Sequence, residues 1–497
     1  MRFFCAIAVL CVVVTSGCSV AKNYNPATKY APEKLQQDYA IFQSILEEEH
    51  PGLYWYTPKD SMDYYFARGK NLLTDSMTET SFRAVLSYVV SKIHCGHTSV
   101  RASKSYLKLA DSLRPKPFPL SLKIWPDTAL VTANINRKDS QITRGVIVTA
   151  IDGKPMNQIV DSLFQHLPAD GYNLTHKYQL LSNRSGFGSL YTTVFGHKRQ
   201  YKIDFVDTLG KQRTAMLNLY PPKDTSARQR PMPRPDISKR KLKKARLAAT
   251  RSLRFDSTSR TAFMDLNTFT RDGRLPRFFK KSFKQLHKKE TEHLIIDLRG
   301  NGGGSVTNSN LLTKYISKDR FKIADSLYAL KRKSNWGKYQ QNRFFNGLFM
   351  LTMTKKKSDG LYHFGYFERK RFKPKKRFHF DGDVYVLTGG NTFSASTLFI
   401  QSVAHQPNVY VVGEETGGGA YGNNAWLIPD VTLPHTKVVF RLPLFRLVID
   451  KNAPKGWGAM PDVPALPTTD AIRRNVDYKA QKALELIKTK EEEKNIF

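Results

Sequence analysis

Ser394 lies in VYVLTGGNTFSASTLFI (Val384 to Ile400), where a strand-like apolar run breaks into small residues and then into a helical pattern. A serine at that junction has backbone N–H groups and the positive end of a helix dipole beside its Oγ. Negative charge developing on an attacked carbonyl oxygen is favoured there. That chemistry is acyl transfer, with Ser394 as nucleophile and the Ala395 N–H as one oxyanion donor. Read alone, the same pattern also describes a helix cap built from Ser394, Ser396 or Thr392. A second segment, HLIIDLRGNGGGS (His293 to Ser305), repeats the design of an apolar strand running into a small-residue loop. Its glycines let backbone N–H groups approach a ligand closely, and three in succession carry an entropic cost that a plain turn does not require. No Gly-Lys-Ser/Thr closes the loop, so it is not a phosphate loop, and GNGGGS lacks the GxGxxG spacing of a dinucleotide site. The pair of segments predicts a serine hydrolase.

Taken together, DLRGNGGG, GGNTFSAS and VVGEETGGGAYGN (Val411 to Asn423), with Gly458-Ala459-Met460-Pro461-Asp462-Val463, resemble the serine peptidases typified by C-terminal processing (tail-specific) proteases and the tricorn core. The likeness spans about Thr261 to Pro467 and implies an α/β catalytic core of the ClpP/crotonase type. Carried over, Ser394 takes the nucleophile position, and Ala395 with Gly302 or Gly303 forms the oxyanion hole. Tail-specific proteases use a lysine base in an F-G-K-G-T loop. Here Gly417-Gly418-Gly419-Ala420-Tyr421 puts glycine at that place, which excludes the usual Ser-Lys dyad. The tricorn-like branch uses an upstream histidine supported by a carboxylate, and Gly96-His97-Thr98 has the look of that motif. His97 is therefore the expected base, able to take the serine proton near neutral pH. Its local sequence alone favours a plain helix-terminal histidine, and the missing lysine reverses that reading, with His94 and then His50 as rivals. For the supporting acid the candidates are Glu415, Glu414 and Asp450, of which Glu415 is preferred.

Cys95, two residues from His97, reads as a small buried thiol rather than a nucleophile. His94, Cys95 and His97 find no second cluster to complete a metal site, so no metal or other cofactor is expected. The other three cysteines fall in the first eighteen residues. There Arg2, an apolar stretch from Phe3 to Val14, and Thr15-Ser16-Gly17-Cys18 resemble a bacterial lipoprotein signal with Cys18 as the lipidated residue. Thr15 stands where such signals usually carry Leu or Val, and ordinary secretion with Cys18 as a bystander is the alternative. The expected location is the bacterial envelope, with the protein held at a membrane by its N-terminal lipid. With one cysteine left in the body, stability must come from hydrophobic cores.

Lys and Arg outnumber Asp and Glu by 79 to 42, much of the excess lying in Lys223 to Arg254 and Lys355 to Arg377. The first tract reads as an exposed linker and the second as an inserted hairpin or flap. An exported protein meets anionic lipid or acidic polymers before nucleic acid, so no nucleic-acid partner is expected, and the tracts read as a solvated basic surface with no dedicated partner. A polypeptide substrate is.

The elements that must position these residues follow from periodicity. Residues 19–31 read as a tether. Pro32-Glu33 starts a helix with Leu35, Tyr39, Phe42, Ile45 and Leu46 on one face, and Thr78 caps another bearing Phe82, Val85, Leu86, Val89, Val90 and Ile93. The second helix is predicted to stop at His94 to Thr98, with Gly96 in a left-handed turn. This helical region covers 32–105. Strand-like runs from Phe118 to Leu219, with an Asp152-Gly153 turn and a short helix over Ile159 to Leu163, resemble the second half of a PDZ domain, which binds peptide ends by adding them to a sheet edge. The carboxylate-binding Gly loop of such domains is not evident around Phe118, so 106–222 reads as a PDZ-like or a generic small β domain. A basic linker, 223–255, precedes the catalytic domain, 256–497, which carries the basic insert 354–378. Apolar strands at Ala262 to Phe269, Leu294 to Leu298, Val384 to Thr388 and Val409 to Val412 alternate with helices, so the sheet should be covered on both faces. The reading is a multidomain α/β serine endopeptidase. A peptide-binding lipoprotein without turnover and a hydrolase of non-peptide acyl groups are the alternatives.

Overall fold

The computed structural model describes residues 24–113, 117–136, 139–219, 238–256 and 259–496. The signal segment with Cys18, and residues 223–237 of the predicted linker, lie outside the described residues. No described helix is long and apolar enough to cross a membrane.

Three helices come first: α1 (Pro32–Glu49), α2 (Lys59–Asn71) and α3 (Glu79–Ser91). Proline at the start of α1 gives up an N–H that has no partner there, and Thr78 caps α3 by accepting the Ser81 N–H. Their apolar stripes do not close on one another alone. The core they build includes Val431, Leu433, Val438, Phe440 and Leu442 from late in the chain. Buried Asp38 of α1 accepts hydrogen bonds from the His435 N–H, the Thr436 N–H and the Thr436 hydroxyl at 2.9, 2.8 and 2.6 Å. The helical region thus shares one core with the C-terminal part of the chain.

The middle part is an antiparallel sheet of β1 (Leu120–Trp125), β2 (Thr128–Asn134), β3 (Ile147–Ile151), β4 (Gln200–Val206) and β5 (Gln212–Asn218), in that order. The short helix after the Asp152-Gly153 turn is α4 (Met156–Phe164). Two more helices, α5 (Leu174–Ser182) and α6 (Gly186–Phe195), interrupt what the sequence presents as strand-like throughout. Helix α5 buries only His176 and Leu181, so its pattern carries no clear apolar stripe.

The catalytic sheet runs β6 (Arg251–Phe255), β7 (Thr261–Leu266), β8 (His293–Asp297), β9 (Asp383–Thr388), β10 (Val409–Gly413) and β11 (Val463–Pro464). Strand β6 is antiparallel to β7 and all other pairs are parallel. On one face Leu294 and Ile296 pack under α7 (Leu275–Lys288), α8 (Val306–Ile316) and the helix that begins after Ser394. On the other, Ile295, Tyr385, Leu387 and Val412 pack against Ala483 and Ile487 of the C-terminal helix (Tyr478–Ile496). Both faces are covered, as near-continuous apolar strands require.

The linker reading of 223–255 is corrected at its C-terminal end. Lys239–Thr250 is a helix that buries no residue, and β6 extends the catalytic sheet, pairing Arg251 with Leu266 through to Phe255 with Ala262. Cations at Arg251 and Arg254 masked a strand whose Leu253 and Phe255 lean on the core. In the basic insert, Lys355–Lys356 pairs antiparallel with Tyr362–His363, and that hairpin joins the strand Ser326–Ala329.

Candidate active site

Strand β9 ends at Thr388, and the chain turns tightly before the helix Ala395–Val403. The turn is fastened to the glycine loop: the Thr392 hydroxyl donates to the Leu298 carbonyl (2.9 Å), and the Phe393 N–H donates to the Asn301 carbonyl (3.1 Å). Ser394 emerges at φ 57° and ψ −118°, a conformation costing a non-glycine residue about 1–3 kcal/mol. Its side chain makes no capping hydrogen bond. This argues against a mere cap and leaves the hydroxyl free at the cleft.

The Ala395 N–H sits at the first helical position, where no intrahelical acceptor exists. Gly303, at φ 95°, lies so close that a Cβ there would stand 2.8 Å from the Ser394 Cβ and 2.9 Å from the Ala395 nitrogen. Its own N–H is engaged by the Asn301 side-chain oxygen at 3.0 Å. Gly302 lines the cleft, and its N–H has no partner among the described residues. The two glycines therefore divide their work, Gly303 permitting close approach and Gly302 offering a free donor.

His97 reaches the same cleft from the turn after α3. The left-handed residue of that turn is His94 (φ 55°), not Gly96 as its sequence suggests. Gly96 is small for another reason: a Cβ would stand 2.6 Å from the Phe393 ring and 3.3 Å from an Asp170 oxygen. The His97 imidazole is 6 % exposed and lies against the Phe393 ring, centroids 4.7 Å apart. Burial, with Arg441 and His176 nearby, pushes its pKa down to about 3, so it is neutral at physiological pH. Neither ring nitrogen has a hydrogen-bond partner among the described residues, and Nδ1 stands 3.9 Å from Asp170 Oδ1.

Asp170, missed from sequence, is the carboxylate beside His97. It accepts the Gly96 N–H at 2.9 Å and the Gly419 N–H at 3.2 Å, and burial raises its pKa to about 6. The preferred acid, Glu415, is engaged elsewhere. Its carboxylate accepts from the Asn173 side chain, the Thr175 hydroxyl and the Gly458 N–H, at 3.1, 2.9 and 2.6 Å, tying α5 to the closing segment. Glu414 pairs with buried Lys479 at 2.5 Å, and Asp450 closes a turn on the Asn452 N–H. Of the histidine rivals, His50 bonds the Thr98 hydroxyl (2.8 Å) and His94 the Gly171 carbonyl (2.8 Å). His176, also unanticipated, stacks on Phe393 (centroids 4.8 Å) while its Nδ1 contacts the Gly390 carbonyl at 2.6 Å. No cluster of three or more candidate metal ligands occurs among the described residues.

The loop that holds glycine in place of lysine has no room for a side chain. A Cβ on Gly419 would lie 2.5 Å from the Gly422 carbonyl oxygen, and one on Gly418 2.3 Å from the Thr397 hydroxyl. Around these groups the cleft has two lobes meeting at Ser394. One, of about 620 Å³, holds His97, His176 and the glycine loop. The other, about 560 Å³, is walled by Val306, Phe367, Leu398, Trp426, Leu427 and Leu447.

A serine opening a helix beside a glycine loop at the ends of parallel strands, with a buried histidine in the same cleft, defines an α/β serine hydrolase. Residues 260–464 match the family model for Peptidase family S41. That segment is thus an S41-type serine peptidase domain. No curated protein matches it. Among solved structures, mature CPAF complexed with lactacystin is 15% identical over 92% of this chain and 97% of that one, with a TM-score of 0.62, and shares the fold. A putative peptidase from Parabacteroides merdae is 14% identical over 92% and 96%, at a TM-score of 0.45. The photosystem II D1 C-terminal processing protease is 13% identical over 88% and 96%, at 0.39.

Proposed function

We propose that this protein is an envelope endopeptidase that cleaves unstructured or C-terminal polypeptide segments through an acyl-enzyme on Ser394, with His97 as base and Asp170 as its positioning carboxylate. The observation that carries the reading is the convergence of strained, uncapped Ser394, the Ala395 and Gly302 N–H groups and His97 on one cleft. Ser394 Oγ attacks the scissile carbonyl and its proton passes to His97. The oxyanion rests on the two N–H groups, and the protonated imidazole returns its proton to the leaving amine. Asp170, 3.9 Å from Nδ1, stabilises the imidazolium that forms between those steps. The middle sheet, read as PDZ-like, selects chain ends, and lipid on Cys18 holds the enzyme at a membrane.

A binding role without turnover draws support from one fact: His97 makes no hydrogen bond to Ser394. A serine-reactive fluorophosphonate probe separates the two. Labelling lost in both Ser394→Ala and His97→Ala supports the dyad. Absent labelling of a folded parent favours the binding role, and labelling that survives Ser394→Ala removes the assigned nucleophile.

A further inference from the structure

The helix Arg343–Met353 lies outside the active site and carries its apolar residues on the wrong side. Phe349 and Met350 point inward, Phe349 against Phe364 at 5.3 Å between centroids and Met350 only 4 % exposed. A surface helix held by such a face should present polar residues outward. This one presents Phe344, Leu348 and Leu351, at i, i+4 and i+7, with Phe345 beside them, exposed at 72, 48, 61 and 71 %. Leaving four large side chains in water forfeits burial free energy that a polar set would not.

The surroundings name the occupant. From Lys331 to Ser358 the chain holds eight Lys or Arg and no Asp or Glu. Lys333, Lys338 and Arg343 stand before or at the start of the helix, and Lys355 and Lys356 follow its end. All five are exposed, and none forms an ion pair among the described residues. An apolar ridge bounded at both ends by unpaired cations matches a surface that is oily within and anionic at its boundary. A second copy of the chain would bring the same cations against these.

We propose that Arg343–Met353 is an interfacial helix that seats Phe344, Phe345, Leu348 and Leu351 into an anionic lipid surface, with the flanking lysines on its headgroups. The body of the protein replaces the polar face that an isolated interfacial helix would need. This attachment is separate from lipid on Cys18 and does not depend on it.

The test uses the full chain carrying Phe345→Trp, mixed with vesicles whose acyl chains are brominated, so that only an inserted indole adds quenching. The expected result is added quenching on phosphatidylglycerol vesicles at low salt, weaker on phosphatidylcholine or at high salt. Lys355→Glu with Lys356→Glu should lower partitioning about tenfold or more. Phe344→Ser, Leu348→Ser and Leu351→Ser together should do the same with an unchanged far-ultraviolet spectrum. Vesicle binding without quenching of the new indole would place the contact elsewhere and overturn the proposal. Self-association that requires Phe344 and Leu348, seen by sedimentation without quenching, would overturn it in favour of a second copy.

Discussion

Asp170 spends its two oxygens on two separate segments, one on the turn bearing His97 and one on Gly419 of the loop that holds glycine in place of lysine. Removing its charge while keeping its shape should therefore damage catalysis more than folding. Asp170→Asn is expected to lower kcat about 10²–10⁴-fold with little change in KM, read by steady-state hydrolysis of an unfolded polypeptide. Glu415→Gln should instead leave kcat within a few-fold and lower the thermal midpoint, since its partners are structural. The buried histidines give a separate expectation in pH. Burial holds both His50 and His97 near 3, whereas unfolded they titrate near 6.5. Below pH 6.5 the unfolded chain binds more protons, so stability falls with pH down to about 3. The slope is roughly 1.4 kcal/mol per pH unit for each histidine. Asp170, raised to about 6, acts in the opposite sense between 3.8 and 6, stabilising as pH falls, and offsets about one of the two. Urea unfolding at pH 7.5 and 5 checks the sign, and His50→Gln should flatten the dependence.

At the scale of elements, the site depends on backbone brought to contact distance by residues with no side chain. Gly303→Ala would drive a methyl into the Phe393 carbonyl and the Ser394 Cβ, both 2.8 Å away, at a φ of 95° that alanine avoids. The expected loss is about 10²-fold or more in kcat, measured beside a thermal midpoint that separates misplacement of Ser394 from unfolding. These loops were legible because glycine runs after apolar strands have few other causes, and Ser394 was legible because a helical pattern begins just after it. Asp170 was not, since PADGY carries the signature of an ordinary turn and its partner histidine lies far away in sequence. Helix α5 escaped for a related reason, its burial coming from tertiary contact rather than from an apolar stripe. Helix α6 does carry a stripe, Phe187, Leu190, Tyr191, Val194 and Phe195, but among glycines and β-branched residues that read as strand. Strand β6 hid behind its arginines, of which Arg254 faces solvent while Arg251 lays its guanidinium over the Phe278 ring.

Over the whole molecule, the helical region is not an appendage. Phe42 of α1 meets Phe440 edge-on, centroids 5.1 Å apart, and Asp38 satisfies three donors near Thr436. Asp38→Ala would leave those buried donors unpaired, at a cost of about 2–4 kcal/mol. Because the core is shared, the helical and catalytic parts should melt in one transition that shifts together in this variant, by calorimetry and by tryptophan fluorescence alike. Two separate transitions would contradict a common core.

His97, Asp170 and Ser394 stand in the helical, middle and C-terminal parts, and the core around His97 needs residues as late as Leu442. A ribosome releasing this chain therefore releases nothing able to cut until almost the last of it has emerged. On the proposed mechanism, nascent and truncated copies are expected to be silent, so that the order of synthesis itself would shield the cell making this peptidase.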